Sequence, residues 1–161
     1  MKAFKFVVLF VFINLLMVGC GGRRPDLVVT TLEATGPATV NAENSVEVPI
    51  RVVVRNQGHA PAGIFKVATE YTGPQGTFVV AFTVPGQSSI WYPATSSPLA
   101  AGNEVTFAGK VTFNSAVHGV TVSLKATADS CSGDEFMPDY CRVAESNEAN
   151  NGSAAISLSL P

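Results

Sequence analysis

The chain has 161 residues, enough for one domain once any targeting segment is removed. Its 12 acidic residues outnumber its 10 basic ones. Removing Lys2 and Lys5 with the N-terminal segment leaves 10 − 2 = 8 basic residues, so the remaining chain has a net charge of −4. Domains that bind nucleic acid carry a basic surface, and this balance therefore disfavours nucleic acid as a partner.

Residues 1–19 are typical of a bacterial signal peptide. Two lysines precede an apolar run from Phe6 to Val18, which only Asn14 interrupts. The run is too short to span a bilayer comfortably, because a membrane-spanning helix needs about 20 apolar residues. The pattern therefore predicts a signal peptide rather than a transmembrane anchor.

Cys20 stands directly where the apolar run ends. The segment Leu16–Cys20, LMVGC, resembles a lipobox, which implies that Cys20 is acylated and becomes the first mature residue. The alternative is ordinary cleavage beside an incidental cysteine. Residues 20–25 then form a tether that reaches about 17 Å when fully extended.

This resemblance predicts attachment to a membrane of the bacterial cell envelope through the N-terminal lipid. Gly21 follows the cysteine where an aspartate would resemble an inner-membrane retention signal. The outer membrane is therefore the expected location if the cell has one.

Alternating apolar and polar residues predict strands along the rest of the chain. In chain order the runs cover residues 26–35, 46–55, 65–71, 78–84, 105–113, 120–128 and 156–160. Gly- and Pro-rich turns separate them. Short strands at this spacing predict an all-β fold, an antiparallel β-sandwich of about seven to eight strands over residues 26–161.

The segment Ser88–Ala101 is the least regular part and holds Trp91 and Tyr92 among serine, threonine and proline. Single tryptophans in small β domains often close one end of the core, and we expect this position for Trp91. In the alternative, Trp91 and Tyr92 are exposed and stack against a sugar ring or a partner protein.

Cys131 and Cys141 are the two cysteines that remain besides Cys20. An exported chain meets an oxidising environment, so we expect a disulfide between them rather than free thiols or a zinc site. A disulfide would stiffen the loop that carries Phe136 and Tyr140, and these side chains form a second predicted contact surface.

The segment Val143–Gly152 is a dense polar stretch before the last strand. Asn and Glu side chains bond backbone groups in tight turns, so we expect a structured corner. Its members are Glu145, Asn147, Glu148, Asn150 and Asn151. Calcium is the alternative, and no other cofactor is expected. The oxygen ligands that calcium prefers would come from Asp129, Glu145, Asn147 and Glu148.

Three segments carry a resemblance to a known family. They are PDLVV at residues 25–29, VRNQG at 54–58 with APAG at 60–63, and ESNEANN at 145–151. The chain resembles the bacterial cell-adhesion-related domain abbreviated CARDB. The resemblance implies an immunoglobulin-like sandwich of seven strands, in agreement with the alternation.

Catalysis has little support in the sequence. His59 and His118 lie in predicted turns with no nucleophile paired to either, and no motif of a hydrolase, metalloprotease or phosphate-binding loop is present. We therefore expect a non-enzymatic, lipid-anchored module that binds protein or polysaccharide through its loops. The alternatives are a structural envelope lipoprotein without a dedicated ligand and a calcium-stabilised adhesion module.

The lipoprotein hypothesis predicts the behaviour of one variant. Cys20→Ser removes the acylated thiol, so the protein should move from the detergent phase to the aqueous phase in phase partitioning. Unchanged partitioning of the variant would contradict lipidation at Cys20.

Overall fold

The computed structural model describes residues 22–130 and 143–161. These residues form nine strands and one 3₁₀ turn, Ser115–Val117. The strands are β1 (Leu27–Ala34), β2 (Thr39–Val40), β3 (Val46–Asn56), β4 (Val67–Gly73), β5 (Gly76–Val79), β6 (Ala81–Thr83), β7 (Glu104–Phe113), β8 (Thr121–Ala128) and β9 (Ile156–Ser159). Within the described ranges, no helix is long and apolar enough to cross a membrane.

The strands form two antiparallel sheets. One sheet has the order β1-β3-β7-β6, with β2 also paired to β3, and the other has the order β5-β4-β8-β9. The chain changes sheet after β3, β5 and β7, which is the pattern of an immunoglobulin-like sandwich. The predicted all-β, immunoglobulin-like fold is confirmed.

The core lies between the two sheets. Alternate residues of β3 are buried, as the periodicity predicts, with exposed fractions of 1% or less for Val46, Val48, Ile50, Val52 and Val54. Four phenylalanines supply the largest core side chains: Phe65, Phe82, Phe107 and Phe113. Phe65 packs edge-on against Phe107, with ring centroids 6.4 Å apart. Burying each such ring stabilises the fold by about 1.5–3 kcal/mol.

The run 78–84, predicted as one strand, is divided between the two sheets. β5 pairs with β4, whereas β6 pairs with β7 in the opposite sheet. Val80 lies at the crossing, where it donates its N–H to Thr69 and accepts the Thr69 hydroxyl, both at 3.0 Å. Because the chain changes sheet at Val80, Phe78 is 45% exposed while Phe82 is fully buried. This division, together with the short β2, accounts for nine strands where seven or eight were expected.

Gly109, in the middle of β7, permits the close approach of β6. A Cβ at this position would lie 2.1 Å from the carbonyl oxygen of Thr83. We predict that Gly109→Ala pushes β6 away and lowers the free energy of unfolding by about 1–3 kcal/mol, the usual cost of overpacking. Chemical denaturation followed by circular dichroism measures this loss.

The matched control is Gly63→Ala. Gly63 is exposed, and a Cβ there would meet no atom within 4 Å. Its substitution should change the free energy of unfolding by no more than about 0.5 kcal/mol. Equal stability of the two variants would show that β6 does not pack closely against Gly109.

Candidate functional site

Asn56, the last residue of β3, is fully buried and uses every hydrogen-bonding position of its side chain. Its Oδ1 accepts the backbone N–H groups of Asp26 and Gly58, each at 3.1 Å. Its Nδ2 donates to the carbonyls of Ala60 at 2.8 Å and Leu99 at 3.0 Å. A buried amide satisfied in this way specifies one arrangement, because each group left unpaired costs about 1–3 kcal/mol.

The turn after β3 forms further hydrogen bonds with the segment that leads into β1. Gln57 donates its backbone N–H to the Asp26 carbonyl at 2.8 Å, and His59 donates to the Arg24 carbonyl at 2.9 Å. Gly58 lies where the two segments cross, and a Cβ there would be 2.5 Å from backbone atoms of three residues, Arg24 to Asp26. Only glycine allows the two backbones to approach so closely.

The corner before β9 holds the same entering segment. Glu145 is 3% exposed, and its Oε2 accepts the backbone N–H of Leu27. Ser146 donates its backbone N–H to the Pro25 carbonyl at 2.9 Å. The first residues of the domain are therefore bound by the turn after β3 and by the corner together.

We call this structure the clamp: Arg24–Leu27 held by Asn56–His59 and Glu145–Asn151. The three segments that carry the family resemblance meet in it, although 118 positions separate Leu27 from Glu145. The sequence indicates a structured corner at residues 145–151 but assigns no role to Asn56, which also binds two residues that are distant in the chain, Asp26 and Leu99.

Two asparagines of the corner bind carboxylates rather than the backbone groups expected. Asn151 is 8% exposed and donates its Nδ2 to Glu145 Oε1 at 2.8 Å. Asn150 donates its Nδ2 to Asp26 Oδ1 at 2.9 Å. Asn147 is exposed, and its Oδ1 accepts the backbone N–H of Ala149 at 3.1 Å, which makes a local turn.

Three acidic side chains meet behind the corner. Carboxylate oxygens of Asp129, Glu145 and Glu148 lie within 4.8 Å of one another. Asp129 Oδ2 accepts the Val143 N–H at 2.7 Å, and Glu148 Oε1 accepts the Glu145 N–H at 3.0 Å. Each carboxylate thus accepts a backbone N–H, as a structured corner requires. The calcium alternative uses these three carboxylates together with Asn147, whose Oδ1 accepts the Ala149 N–H.

The pKa of the Glu145 carboxyl group is raised by burial and by its acidic neighbours. Burial raises the pKa of Glu145 to about 7, and the negative charges of Asp129 and Glu148 act in the same direction, against the hydrogen bonds from Leu27 and Asn151. The Oδ1 of Asn151 is buried and accepts no hydrogen bond within the described residues. A protonated Glu145 can donate to this oxygen once the Asn151 amide turns over.

The segment between β6 and β7, residues 84–103, is an ordered loop. Ala62 and Leu99 exchange two backbone hydrogen bonds of 2.9 and 3.0 Å. Thr95 donates its N–H to the Phe65 carbonyl at 3.0 Å and accepts the Phe65 N–H through Oγ1 at 3.2 Å. We refer to this segment as the β6–β7 loop.

Two grooves border the β6–β7 loop. The larger groove, of about 990 Å³, lies between the loop and the start of β7, and Tyr92 lines it. Its lining is rich in hydroxyl and amide side chains, among them Gln87, Ser88, Ser89, Ser96, Ser97 and Asn103. The smaller groove, of about 280 Å³, is lined by Trp91 of the loop and by Phe78 and Val79 of β5. We call it the aromatic groove.

Trp91 is 45% exposed and does not close the core, so that expectation is wrong. The four buried phenylalanines already supply the large core side chains. Trp91 takes the exposed position of the alternative interpretation, whereas Tyr92 is half-buried. The two side chains line different grooves.

Several predicted sites lie outside the described residues. They are the signal segment 1–19, the lipidation site Cys20, the proposed disulfide of Cys131 and Cys141, and the contact residues Phe136 and Tyr140.

Comparison with known proteins identifies the family. The CARDB family matches residues 24–155. The chain therefore belongs to the CARDB family of immunoglobulin-like domains. Comparison with curated proteins returns no match.

Among the solved structures similar to this chain is that of a candidate lipoprotein from Bacillus subtilis. The similarity covers 85% of this chain and 37% of that protein, at 12% identity and a TM-score of 0.43. This chain thus spans little more than a third of that protein.

The raised pKa of Glu145 predicts that stability falls as the pH rises. The folded state holds the proton up to about pH 7, whereas the ordinary pKa is 4.5. The contribution of the Glu145 proton to the free energy of unfolding is therefore complete below pH 4.5 and is lost as the pH passes through about 7. We expect the free energy of unfolding to be greater at pH 5 than at pH 8, by about 3 kcal/mol at most.

Glu145→Gln should flatten this pH dependence, and Glu43→Gln, in an exposed turn, should leave it unchanged. Denaturation curves at pH 5, 6, 7 and 8 measure the effect.

Because the carboxylates of the corner already accept backbone N–H groups, millimolar calcium and chelator should give the same melting temperature. A rise of several degrees with calcium and not with magnesium would favour the metal alternative.

Proposed function

We propose that this protein is a non-catalytic binding module of the bacterial cell envelope that contacts a polysaccharide through the β6–β7 loop. The observation that carries the proposal is the larger groove, whose lining holds many neutral hydroxyl and amide groups beside one lysine and one glutamate. Such groups both donate and accept hydrogen bonds, as sugar hydroxyls do. Membership of the CARDB family supports a role without catalysis.

The order of the β6–β7 loop supports the proposal. Ser89 Oγ accepts the backbone N–H of Tyr92 at 3.0 Å, and Gln87 Oε1 accepts the N–H of Ala94 at 2.8 Å. Two side chains of the groove lining therefore hold the loop that forms it. A loop already fixed in its binding conformation loses less entropy when a ligand binds.

The lipobox-like segment supports attachment to the membrane through Cys20, with the outer membrane preferred. The clamp begins at Arg24, so only a few residues separate the lipidated cysteine from the folded domain. The stretch from Cys20 to Arg24 reaches about 14 Å when fully extended, which holds the domain close to the bilayer. A polysaccharide that lies near the membrane surface is therefore the ligand within reach.

The proposal predicts that the full-length, lipidated protein in detergent is retained on immobilised envelope polysaccharide from its own bacterium. Tyr92→Ala removes the tyrosine ring that lines the larger groove and should weaken retention at least about tenfold, which corresponds to about 1.4 kcal/mol. The control is Ile90→Ala, because Ile90 is 55% exposed in the same loop and lines neither groove.

Loss of retention in both variants to the same extent would point to a folding defect, which circular dichroism would detect. A wild-type protein that polysaccharide does not retain contradicts the proposal. Recovery of one reproducible protein from membranes would then support a protein ligand. Recovery of none would support a structural lipoprotein without a ligand.

A further inference from the structure

The aromatic groove is built from rings held in place by one another. Tyr71 and Phe113 are buried, and their ring centroids lie 5.2 Å apart in an edge-to-face arrangement. Phe78 packs on Tyr71 at 5.7 Å, yet it remains 45% exposed. Trp91, also 45% exposed, lines the same groove from the loop. The exposed rings of Phe78 and Trp91 therefore line the same groove as the two buried rings.

The other lining residues are uncharged: three are polar and four are apolar, namely Val79, Val80, Ala81 and Ala116. Among the described residues, the lining includes no Asp, Glu, Lys, Arg or His, whereas Lys66 and Glu104 line the larger groove. Gln75, Thr112 and Asn114 contribute amide and hydroxyl groups. Asn114 uses its Oδ1 to cap the 3₁₀ turn, and its Nδ2 donates no hydrogen bond within the described residues.

We propose that the aromatic groove binds one uncharged sugar ring. The C–H face of a sugar ring carries a partial positive charge that complements the negative face of an aromatic ring. The hydroxyl edge of the same sugar matches amide and hydroxyl groups such as those of Gln75 and Thr112. A charged ligand would lose hydration there without a compensating charge.

The size of the aromatic groove agrees with one ring. Its volume of about 280 Å³ is at the lower end of ligand sites, which measure about 300–1,000 Å³. A long ligand must therefore extend beyond it.

The β6–β7 loop connects the two grooves. Trp91 and Tyr92 are adjacent in the chain but line different grooves, and Ser89 Oγ accepts the backbone N–H of both, at 3.4 and 3.0 Å. One linear ligand can therefore contact both aromatic side chains. This inference rests on the proposed function: the larger groove binds a polysaccharide, and the aromatic groove binds a neutral unit of the same chain.

Trp91 is the only tryptophan in the sequence, so its fluorescence reports on the aromatic groove alone. The full-length protein in detergent is titrated with glucose hexamer, N-acetylglucosamine hexamer and galacturonate hexamer, and with its own envelope polysaccharide. We expect a blue shift of the emission and less quenching by acrylamide with at least one neutral sugar, and no change with the anionic hexamer.

Calorimetry with the same neutral sugar separates the roles of the side chains. Trp91→Ala should weaken binding at least tenfold, whereas Trp91→Phe, which keeps a ring, should recover most of the affinity. Ile90→Ala should bind as the wild type does. In Tyr92→Ala, Trp91 should still respond, at higher sugar concentration.

The outcomes distinguish this inference from the proposed function. Retention on polysaccharide with unchanged Trp91 emission and full binding by Trp91→Ala would overturn the inference and leave the proposed function standing. Absence of any saccharide binding would overturn both. A shift of Trp91 emission with an uncharged peptide but with no sugar would assign the groove to a protein.

Discussion

Asn56 and Glu145 bind the backbone N–H groups of two successive residues, Asp26 and Leu27. This pair of contacts is the constraint on which the structure depends. Buried backbone groups must be hydrogen-bonded. Where the chain enters the domain, side chains from two remote segments provide the partners. Without these two side chains, β1 would begin with two unpaired backbone donors, one of which, that of Leu27, is buried.

Asn56 also connects this entry point to the loop that carries the candidate binding surface. Its backbone donates to the Asn103 carbonyl at 3.0 Å and accepts the Gly102 N–H at 2.7 Å, while its side chain binds the Leu99 carbonyl at 3.0 Å. The same buried residue therefore holds the segment next to the tether and the end of the β6–β7 loop. A domain built in this way presents its grooves in a fixed orientation relative to the point at which the chain enters.

The fold was predictable from sequence where one face of a strand is buried. The alternation in β3 and β8 identified core residues such as Val52 and Leu124, because period-two burial follows directly from strand geometry. The division at Val80 was not predictable, since a strand that changes sheet retains much of the same alternation. Trp91 was assigned to the core because residue size alone cannot distinguish a core ring from an exposed one.

The candidate sites were predictable to a smaller degree. The corner with Glu145 was recognisable from the local density of polar residues, but its partner Leu27 lies 118 positions away. Asn56 carries no clear local signal, because two of its four side-chain bonds join residues that are distant in the chain, Asp26 and Leu99. The grooves around Trp91 and Tyr92 depend on how the loop packs against β5 and β7, which periodicity does not describe.

Amide hydrogen exchange tests the central claim, that the clamp is part of the cooperative core, most directly. The account predicts that the amides of Asp26, Leu27 and Ser146 exchange as slowly as those of β3, through global unfolding alone. Asn56→Ala should accelerate exchange at Asp26 first. Exchange of these three amides within minutes, while β3 remains protected, would contradict the account.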